Sequence, residues 1–278
     1  MVFKSFSKIN LSLNVNKRLN NGLHQIQSHF CLIDLFDEIK IKKNRISKDE
    51  IKFLGKFSKN IKKKDNSVIN TLKFLRKKRL INDYFSISIN KHIPIFAGLG
   101  GGSSNAFFLA KNLLKRNISK KVINGMNKEI SSDCNLFLHN QGFLESLDNV
   151  KTFSKKYKLY LLLVYPNVRC STKYVYSKVK KYSPKMKFNS KISISKRNYI
   201  DFLIKSTNDL QLIIEKKYPI IRNLLFEIRQ TKGCYFSRMT GSGSVCYGVF
   251  QSKKEVIIAH NKIKSKYPNY WSTFVKTI

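Results

Sequence analysis

Acidic residues are scarce in this sequence. It has 16 Asp and Glu against 54 Lys and Arg, a formal net charge of +38. Cysteine and histidine number five each and are widely scattered. No CxxC, HExxH or HxxxH pair occurs, which argues against a dedicated zinc or redox site built from these residues. Cys31, Cys134, Cys170, Cys234 and Cys246 read as small buried residues of a reducing compartment. Long apolar runs are missing as well. The longest, LYLLLVY from Leu159 to Tyr165, falls far short of the ~20 residues of a membrane span. The opening MVFKSFSKINLSLNV has an early lysine but no apolar h-region and no small-residue cleavage site. It reads as a strand of the mature fold rather than a signal peptide, and a cytoplasmic protein without membrane partners is expected.

What is present supports a packed core: 42% of the 278 residues are hydrophobic and 12% aromatic, which argues against disorder. The length suits one large domain or two compact ones. The basic charge is spread along the chain. Clusters at Lys62-Lys63-Lys64 and Arg76-Lys77-Lys78-Arg79 are matched by pairs at 42–43, 155–156, 180–181 and 216–217. Lys, Asn, Ile, Phe and Tyr, all abundant here, have AT-rich codons. The charge therefore reads as a background bias of the surface. A nucleic-acid surface would interleave aromatic and basic residues on one face, and no specific nucleic-acid partner is expected. Anionic substrates would still be attracted.

FSKINLSLNV (6–15) alternates apolar and polar residues and predicts a strand. Asn21-Gly22 is a turn signal, and FCLIDLFDEIKIKK a second strand region. Val68, Ile69, Leu72 and Leu75 have helical spacing within 66–79, and Tyr84 to Ile89 alternates again. SSNAFFLAKNLLKR (103–116) sets Ala106, Phe107, Ala110, Leu113 and Leu114 on one helical stripe. The pattern weakens after residue 140, placing a domain boundary near 145–158. A strand at LYLLLVYP follows, then helices over 196–217 and 219–232. MTGSGSVCYGVF (239–250) reads as a glycine turn into a strand, with a helix at KKEVIIAHNKIKSK after it.

Glycine is also rare, 12 in all, yet PIFAGLGGGSSNAFF (94–108) holds four of them between Gly98 and Gly102. This run lies between a predicted strand and a predicted helix. A helix N-terminus offers unpaired N–H groups and partial positive charge. Glycines before it let the backbone curl around an anion without a Cβ in the way. Ser103 and Ser104 add hydroxyls, one of them a candidate Mg²⁺ ligand. The run therefore predicts a phosphate cradle, with a tight turn as the plain alternative. It is neither a Walker A loop, lacking GK[ST], nor a dinucleotide GxGxxG, because the third glycine would fall on Ser103.

PxxxGLGGGSSNA resembles the second motif of the GHMP kinases, the superfamily of galactokinase, homoserine kinase, mevalonate kinase and phosphomevalonate kinase. Its extra glycine and its continuation resemble the family of 4-diphosphocytidyl-2-C-methyl-D-erythritol kinases. Four more stretches agree in order: SKINLSLNV (7–15), RLNNGLHQIQS (18–28), SSDCNLFLHNQG (131–142) and RMTGSGSVCYGVF (238–250). Asn208-Asp209-Leu210 resembles the family's NDLE element. The resemblance implies an α+β, two-lobed GHMP kinase fold. Its N-terminal lobe, 1–150, would be ATP-binding and like ribosomal protein S5 domain 2. Its C-terminal lobe, 151–278, would be ferredoxin-like. The implied enzyme is an ATP- and Mg²⁺-dependent kinase of isoprenoid precursor synthesis, a monomer or weak homodimer, with a cytidine-diphospho substrate phosphorylated on its 2-hydroxyl.

The resemblance also assigns residues. Pro94, Ala97, Gly98, Leu99, Gly100, Gly101, Gly102, Ser103 and Ser104 would bind ATP. Lys8 and Asp133 would be catalytic; read without the family, Lys8 is a surface lysine and Asp133 a helix cap. His24 would contact the cytosine, Asn10 the diphosphate or the methylerythritol, and Thr172 and Tyr176 would line the cytidine pocket. Gly241, Ser242, Gly243 and Ser244 would close the site. The chain departs from the family at Leu23, where a tyrosine precedes the histidine, and at Ser131-Ser132, where Gly-Ala precedes the aspartate. The alternatives are another GHMP kinase of the homoserine or mevalonate type, and a basic nucleic-acid-binding protein.

Overall fold

The computed structural model describes residues 1–20, 22–62, 64–115 and 118–278. Asn21 of the expected turn, Lys63 of a basic cluster and Arg116 of an expected helix lie outside them. In chain order the strands and helices begin with β1 (Val2–Asn10), β2 (Asn14–Arg18), β3 (His24–Asn44), β4 (Glu50–Leu54), α1 (Ser67–Lys77) and β5 (Tyr84–Asn90). Next come α2 (Gly101–Leu114), α3 (Lys120–Glu129), β6 (Gln141–Ser146), β7 (Asn149–Lys151), β8 (Tyr160–Tyr165) and α4 (Thr172–Ser177). The last are α5 (Lys196–Lys205), α6 (Gln211–Lys217), α7 (Pro219–Arg229), β9 (Cys234–Met239), β10 (Cys246–Phe250), α8 (Lys253–Lys266) and β11 (Trp271–Lys276). Two compact units interleave along the sequence. One comprises Met1–Lys8, Leu35–Ile95 and Gly100–Leu138; the other comprises Ile9–Asp34, Phe96–Leu99 and His139–Ile278.

In the first unit the C-terminal half of β3 pairs antiparallel with β5, Ile39 opposite Ile89 and Ile41 opposite Ile87. β4 adds a parallel strand to β5. Alternation along β5 turns Phe85, Ile87 and Ile89 to one face, where they pack with Val68 and Leu72 of α1 and Leu109 of α2. Asn66 starts α1, its side chain accepting from the N–H groups of Val68 and Ile69 at 3.1 Å each. Phe74, Leu75, Ala106, Ala110, Met126 and Cys134 form a second cluster that joins α1, α2 and α3.

The second unit contains a four-stranded antiparallel sheet in the order β11-β8-β10-β9. Leu161, Leu162, Leu163 and Val164 of β8 are all buried. This double-sided burial explains the unbroken apolar run in the sequence. Leu162 and Val164 meet Ile214, Ile221, Leu224, Val256 and Ile263 from α6, α7 and α8. In the same unit the N-terminal half of β3 pairs antiparallel with β2 and β6.

Two sequence expectations are corrected. The single strand over 6–15 is two, because the N–H groups of Leu11 and Ser12 both converge on His29 O, at 2.6 and 3.2 Å. That convergence bends the chain between β1 and β2. The helix over 196–217 is broken between α5 and α6, where the Asn208 amide instead donates to Met239 O and Gly241 O, at 2.8 and 2.9 Å. Its Oδ1 caps the next turn by accepting from Leu210 N.

Candidate active site

The glycine run enters α2 through Gly100, whose φ is 69° and which supplies no capping side chain. No capping side chain at Gly100 takes the first N–H groups of α2, the arrangement that accepts an anion. A Cβ on Gly100 would stand 3.0 Å from Lys8 Cε and 3.1 Å from Lys8 Cγ, so the loop backbone runs along the Lys8 stem. At Gly102 the situation is different. It is exposed, and a Cβ there would meet only Ser67, at 3.5 Å from its Oγ. Among the described residues nothing requires that residue to be glycine.

Lys8 is buried in β1, and its Nζ lies 3.4 Å from Asp133 Oδ2, whose side chain keeps 26% of its surface exposed. Both residues belong to the first unit. Asp133 directly precedes a 3₁₀ turn, Cys134–Leu138. Ser131 Oγ accepts from Asp133 N at 3.4 Å. The hydroxyl of Ser131 thus serves the local turn, and the Asp133 carboxylate is directed to Lys8. In such a pair the partly open carboxylate can orient an acceptor hydroxyl and take up its proton, while the ammonium neutralises charge on a transferring phosphoryl group.

The Ser104 side chain is not placed as expected for a phosphate or Mg²⁺ ligand. Ser104 is fully buried; its hydroxyl donates to Phe6 O at 2.6 Å and lies 2.6 Å from Ser5 Oγ. The polar side of α2 is turned inward here, because Asn105 and Ser104 complete a buried network. Lys91 Nζ contacts the Asp37 carboxylate and donates to Asn105 Oδ1 at 2.9 Å. Asp37 Oδ1 accepts from the N–H groups of His92 and Ile93 at 2.8 and 3.0 Å. The Asn105 amide also donates to Ser5 Oγ at 2.9 Å. Burial pushes the Lys91 ammonium below its usual range, and Asp37 pulls it back up. Ser103 Oγ lies 2.6 Å from Ser131 Oγ.

The second unit holds most of the other expected residues; Pro94 and Gly101 lie in the first. Gly98 has a φ of 77°, and a Cβ on it would fall 2.2 Å from Thr240 O. The TGSGS turn lies this close because Thr240 Oγ1 accepts from Asn10 N at 3.0 Å and donates to Gly98 O at 3.4 Å. The Asn10 amide is buried and donates to Ser28 Oγ at 2.7 Å, and a Cβ on Gly241 would lie 3.3 Å from Asn10 Oδ1. Thr172 Oγ1 stands 3.0 Å from Ser242 Oγ. Gly243 and Ser244 are buried in the same turn. Pro94, Ala97 and Leu99 are buried as well, so their side chains serve packing and only their main chain is available to a ligand. The His24 ring lies 5.1 Å, centroid to centroid, from that of Tyr176. Partial burial and, secondarily, Arg18 lower the His24 pKa, favouring the neutral ring.

Two family models match the chain: the GHMP kinases N-terminal domain over residues 66–135, and the GHMP kinases C-terminal domain over 192–269. The chain belongs to the GHMP kinase family. This GHMP kinase is 40% identical to the 4-diphosphocytidyl-2-C-methyl-D-erythritol kinase of Pelagibacter ubique, over 99% of this chain and 98% of that one. It is 30% identical to the same-named protein of Wolbachia pipientis wMel, over 96% and 95% of the two chains. The fold matches a crystal structure of 4-(cytidine 5'-diphospho)-2C-methyl-D-erythritol kinase with a TM-score of 0.75 at 19% identity, covering 99% of each chain. It also matches homoserine kinase from Cytophaga hutchinsonii, with a TM-score of 0.69 at 16% identity, over 100% of this chain and 93% of that one. The α+β kinase fold and the family resemblance read from the motifs both hold.

Sequence reasoning did not single out Ser5, Asp37, Lys91 and Asn105. Asn105 stands in the quoted SSNA, but Lys91 and Asp37 are 54 residues apart and leave no spacing pattern.

Proposed function

We propose that this kinase transfers the γ-phosphoryl group of ATP to the 2-hydroxyl of 4-diphosphocytidyl-2-C-methyl-D-erythritol, a step of isoprenoid precursor synthesis. The Lys8–Asp133 pair beside the Gly100 backbone carries the reading. It joins, within one unit, a helix N-terminus that accepts phosphate and a carboxylate that receives a hydroxyl proton. Phosphoryl transfer is mainly positioning and charge stabilisation. The N–H groups opening α2 hold the phosphates, Lys8 stabilises charge on the moving group, and Asp133 orients the acceptor hydroxyl and takes its proton. In this reading residues 1–150 are the ATP-binding domain and 151–278 the C-terminal one.

Mg²⁺ fits a donor set of this kind. Among the described residues no cluster of three or more His, Cys, Asp or Glu forms a closed metal cage. Mg²⁺ needs no such cage, since it is usually held by one or two carboxylates together with substrate phosphates and water. Asp133 is the carboxylate that would hold it, and the ion would supply neutralising charge to the phosphates. His24, Tyr176 and Thr172 are assigned to the cytidine end, and Asn10 to the diphosphate or polyol. The protein is assigned to the cytoplasm as a monomer or weak homodimer, with no specific nucleic-acid partner. No helix among the described residues is long and apolar enough to cross a membrane.

The test is ATP consumption with a panel of acceptors. The cytidine-diphospho polyol should be phosphorylated, and homoserine and mevalonate should not. Turnover of homoserine or mevalonate in place of the cytidine compound would overturn the assignment.

A further inference from the structure

We infer that Tyr182 supplies the second aromatic surface of the cytosine pocket, in place of the residue before His24; this rests on the cytidine reading above. At position 23 the chain has a leucine, exposed at 51%, that offers no π-face to a base. Another aromatic ring reaches His24 from elsewhere in the same unit. The Tyr182 ring centroid lies 6.4 Å from that of His24, the planes 37° apart, and Tyr176 lies on His24 as well. Tyr182 is 46% exposed, so a large part of the ring is open to a ligand.

The position of Tyr182 is built rather than incidental. Residues 182–186 have no regular secondary structure, yet four separate attachments fasten them to β2, β3 and the turn before α6. Ser183 N donates to Val15 O at 2.8 Å. Ser183 Oγ donates to Asp209 Oδ2 at 2.7 Å, and the same oxygen accepts from Val15 N at 2.7 Å. Asn16 Nδ2 donates to Ser183 O at 3.1 Å and to Pro184 O at 3.2 Å. Gln27 uses both ends of its amide on one residue, donating to Met186 O at 2.9 Å and accepting from Met186 N at 2.7 Å. Ordering a surface segment costs conformational entropy. Here polar side chains of β2 and β3 offset that cost, and the result is a fixed aromatic ring against His24. A tyrosine ring stacks on a pyrimidine and loses little freedom in doing so. His24 then addresses the edge of the base while the tyrosines address its face.

The experiment compares Tyr182→Ala, Tyr182→Phe and His24→Ala with the unmodified protein. It measures kcat and KM for both substrates, and calorimetric binding of CDP with ADP present at saturation. Tyr182→Ala should raise KM for the cytidine substrate and Kd for CDP by about 5- to 150-fold, the range of one lost base–aromatic stack. KM for ATP and kcat should stay near the unmodified values. Tyr182→Phe, which keeps the ring, should bind like the original. A folded Tyr182→Ala protein with unchanged KM and Kd would overturn the inference, as would a Tyr182→Phe protein as weak as the alanine variant. Failure of the underlying reading looks different: the unmodified protein itself would neither bind CDP nor phosphorylate the cytidine substrate.

Discussion

The Asn105 amide donates to the Asp37 carboxylate at 3.0 Å, with both side chains buried in the first unit. Asp37 is thereby the hub of a network that holds Lys91, the main chain of His92 and Ile93, and Asn105 in the second turn of α2. Those segments flank the glycine run on both sides. The network is therefore a scaffold for the phosphate cradle as well as a buried ion pair. Asp37→Asn would leave Lys91 without its counter-charge in a buried place. Breaking a buried pair in this way costs about 3–5 kcal/mol. Urea unfolding should show that loss at pH 7. A loss below about 1 kcal/mol, the scale of an exposed pair, would mean that Asp37 does not carry the burial of Lys91.

Gly102 separates the two readings of the glycine run. It lies in the first turn of α2, where a Cβ finds space within the protein. Gly102→Ala should leave the melting temperature unchanged or raise it, since alanine is favoured over glycine in a helix by about 0.5–1 kcal/mol. KM for ATP should nevertheless rise about tenfold, the loss of one contact of ~1.4 kcal/mol, because the new methyl group stands where a phosphate meets the backbone. An unchanged KM would reduce the run to a structural turn.

His29 gives a pH dependence that does not involve the reaction. Its ring packs against Phe143, Phe153 and Phe202. Nδ1 lies 3.0 Å from Ser12 Oγ, which also accepts from His29 N. Burial lowers its pKa from 6.5 to about 3. Between those two values the unfolded chain binds a proton that the folded one refuses, so stability falls as pH drops through that window. The slope from this group is at most about 1.4 kcal/mol per pH unit. His29→Gln should be less stable at pH 7 but lose less between pH 6 and pH 4. Unfolding free energies measured across that range would show parallel slopes if His29 were not the group responsible.

Much of the fold was legible where one periodicity acts alone. The stripe from Ala106 to Leu114 predicted α2, and KKEVIIAHNKIKSK coincides with α8. It was not legible where distant segments override local preference. Nothing in 196–217 announces a break, because the break is made by Met239 and Gly241, which take the Asn208 amide. The same holds at the candidate site. A glycine-rich run before a helix shows its chemistry in the sequence, because missing side chains and helix ends are local features. Ser104 shows the limit of such reading. Its hydroxyl type suited a metal or phosphate, but its place on α2 faces Ser5 and Phe6, on a strand about a hundred residues away (99 for Ser5). Tyr182 escaped notice because its approach to His24 depends on Gln27, Asn16 and Asp209 fastening an irregular segment.

The chemistry at Lys8 and Asp133 allows the sharpest test. Asp133→Asn preserves shape and hydrogen-bonding capacity but removes the basic oxygen. If Asp133 receives the hydroxyl proton, kcat should fall by about 10²–10⁴, with KM for the cytidine substrate little changed. The competing view, that Asp133 only caps the 3₁₀ turn, is weakened by Asn127, whose Oδ1 already accepts from Asn135 N, a donor such a cap would take. A cap role also predicts the opposite result, because asparagine caps as well as aspartate does and kcat would survive. Lys8→Met keeps the buried stem that runs beside Gly100 and deletes the ammonium. It should lower kcat too, since the carboxylate and the moving phosphoryl group share that cation. The double variant should be much less impaired than the product of the two single effects if the residues act as one unit. Melting temperatures on the same proteins separate a chemical loss from a folding one. A kcat near the original in Asp133→Asn would remove the carboxylate from proton transfer and leave Lys8 and the α2 N-terminus as the only groups acting on the phosphoryl group.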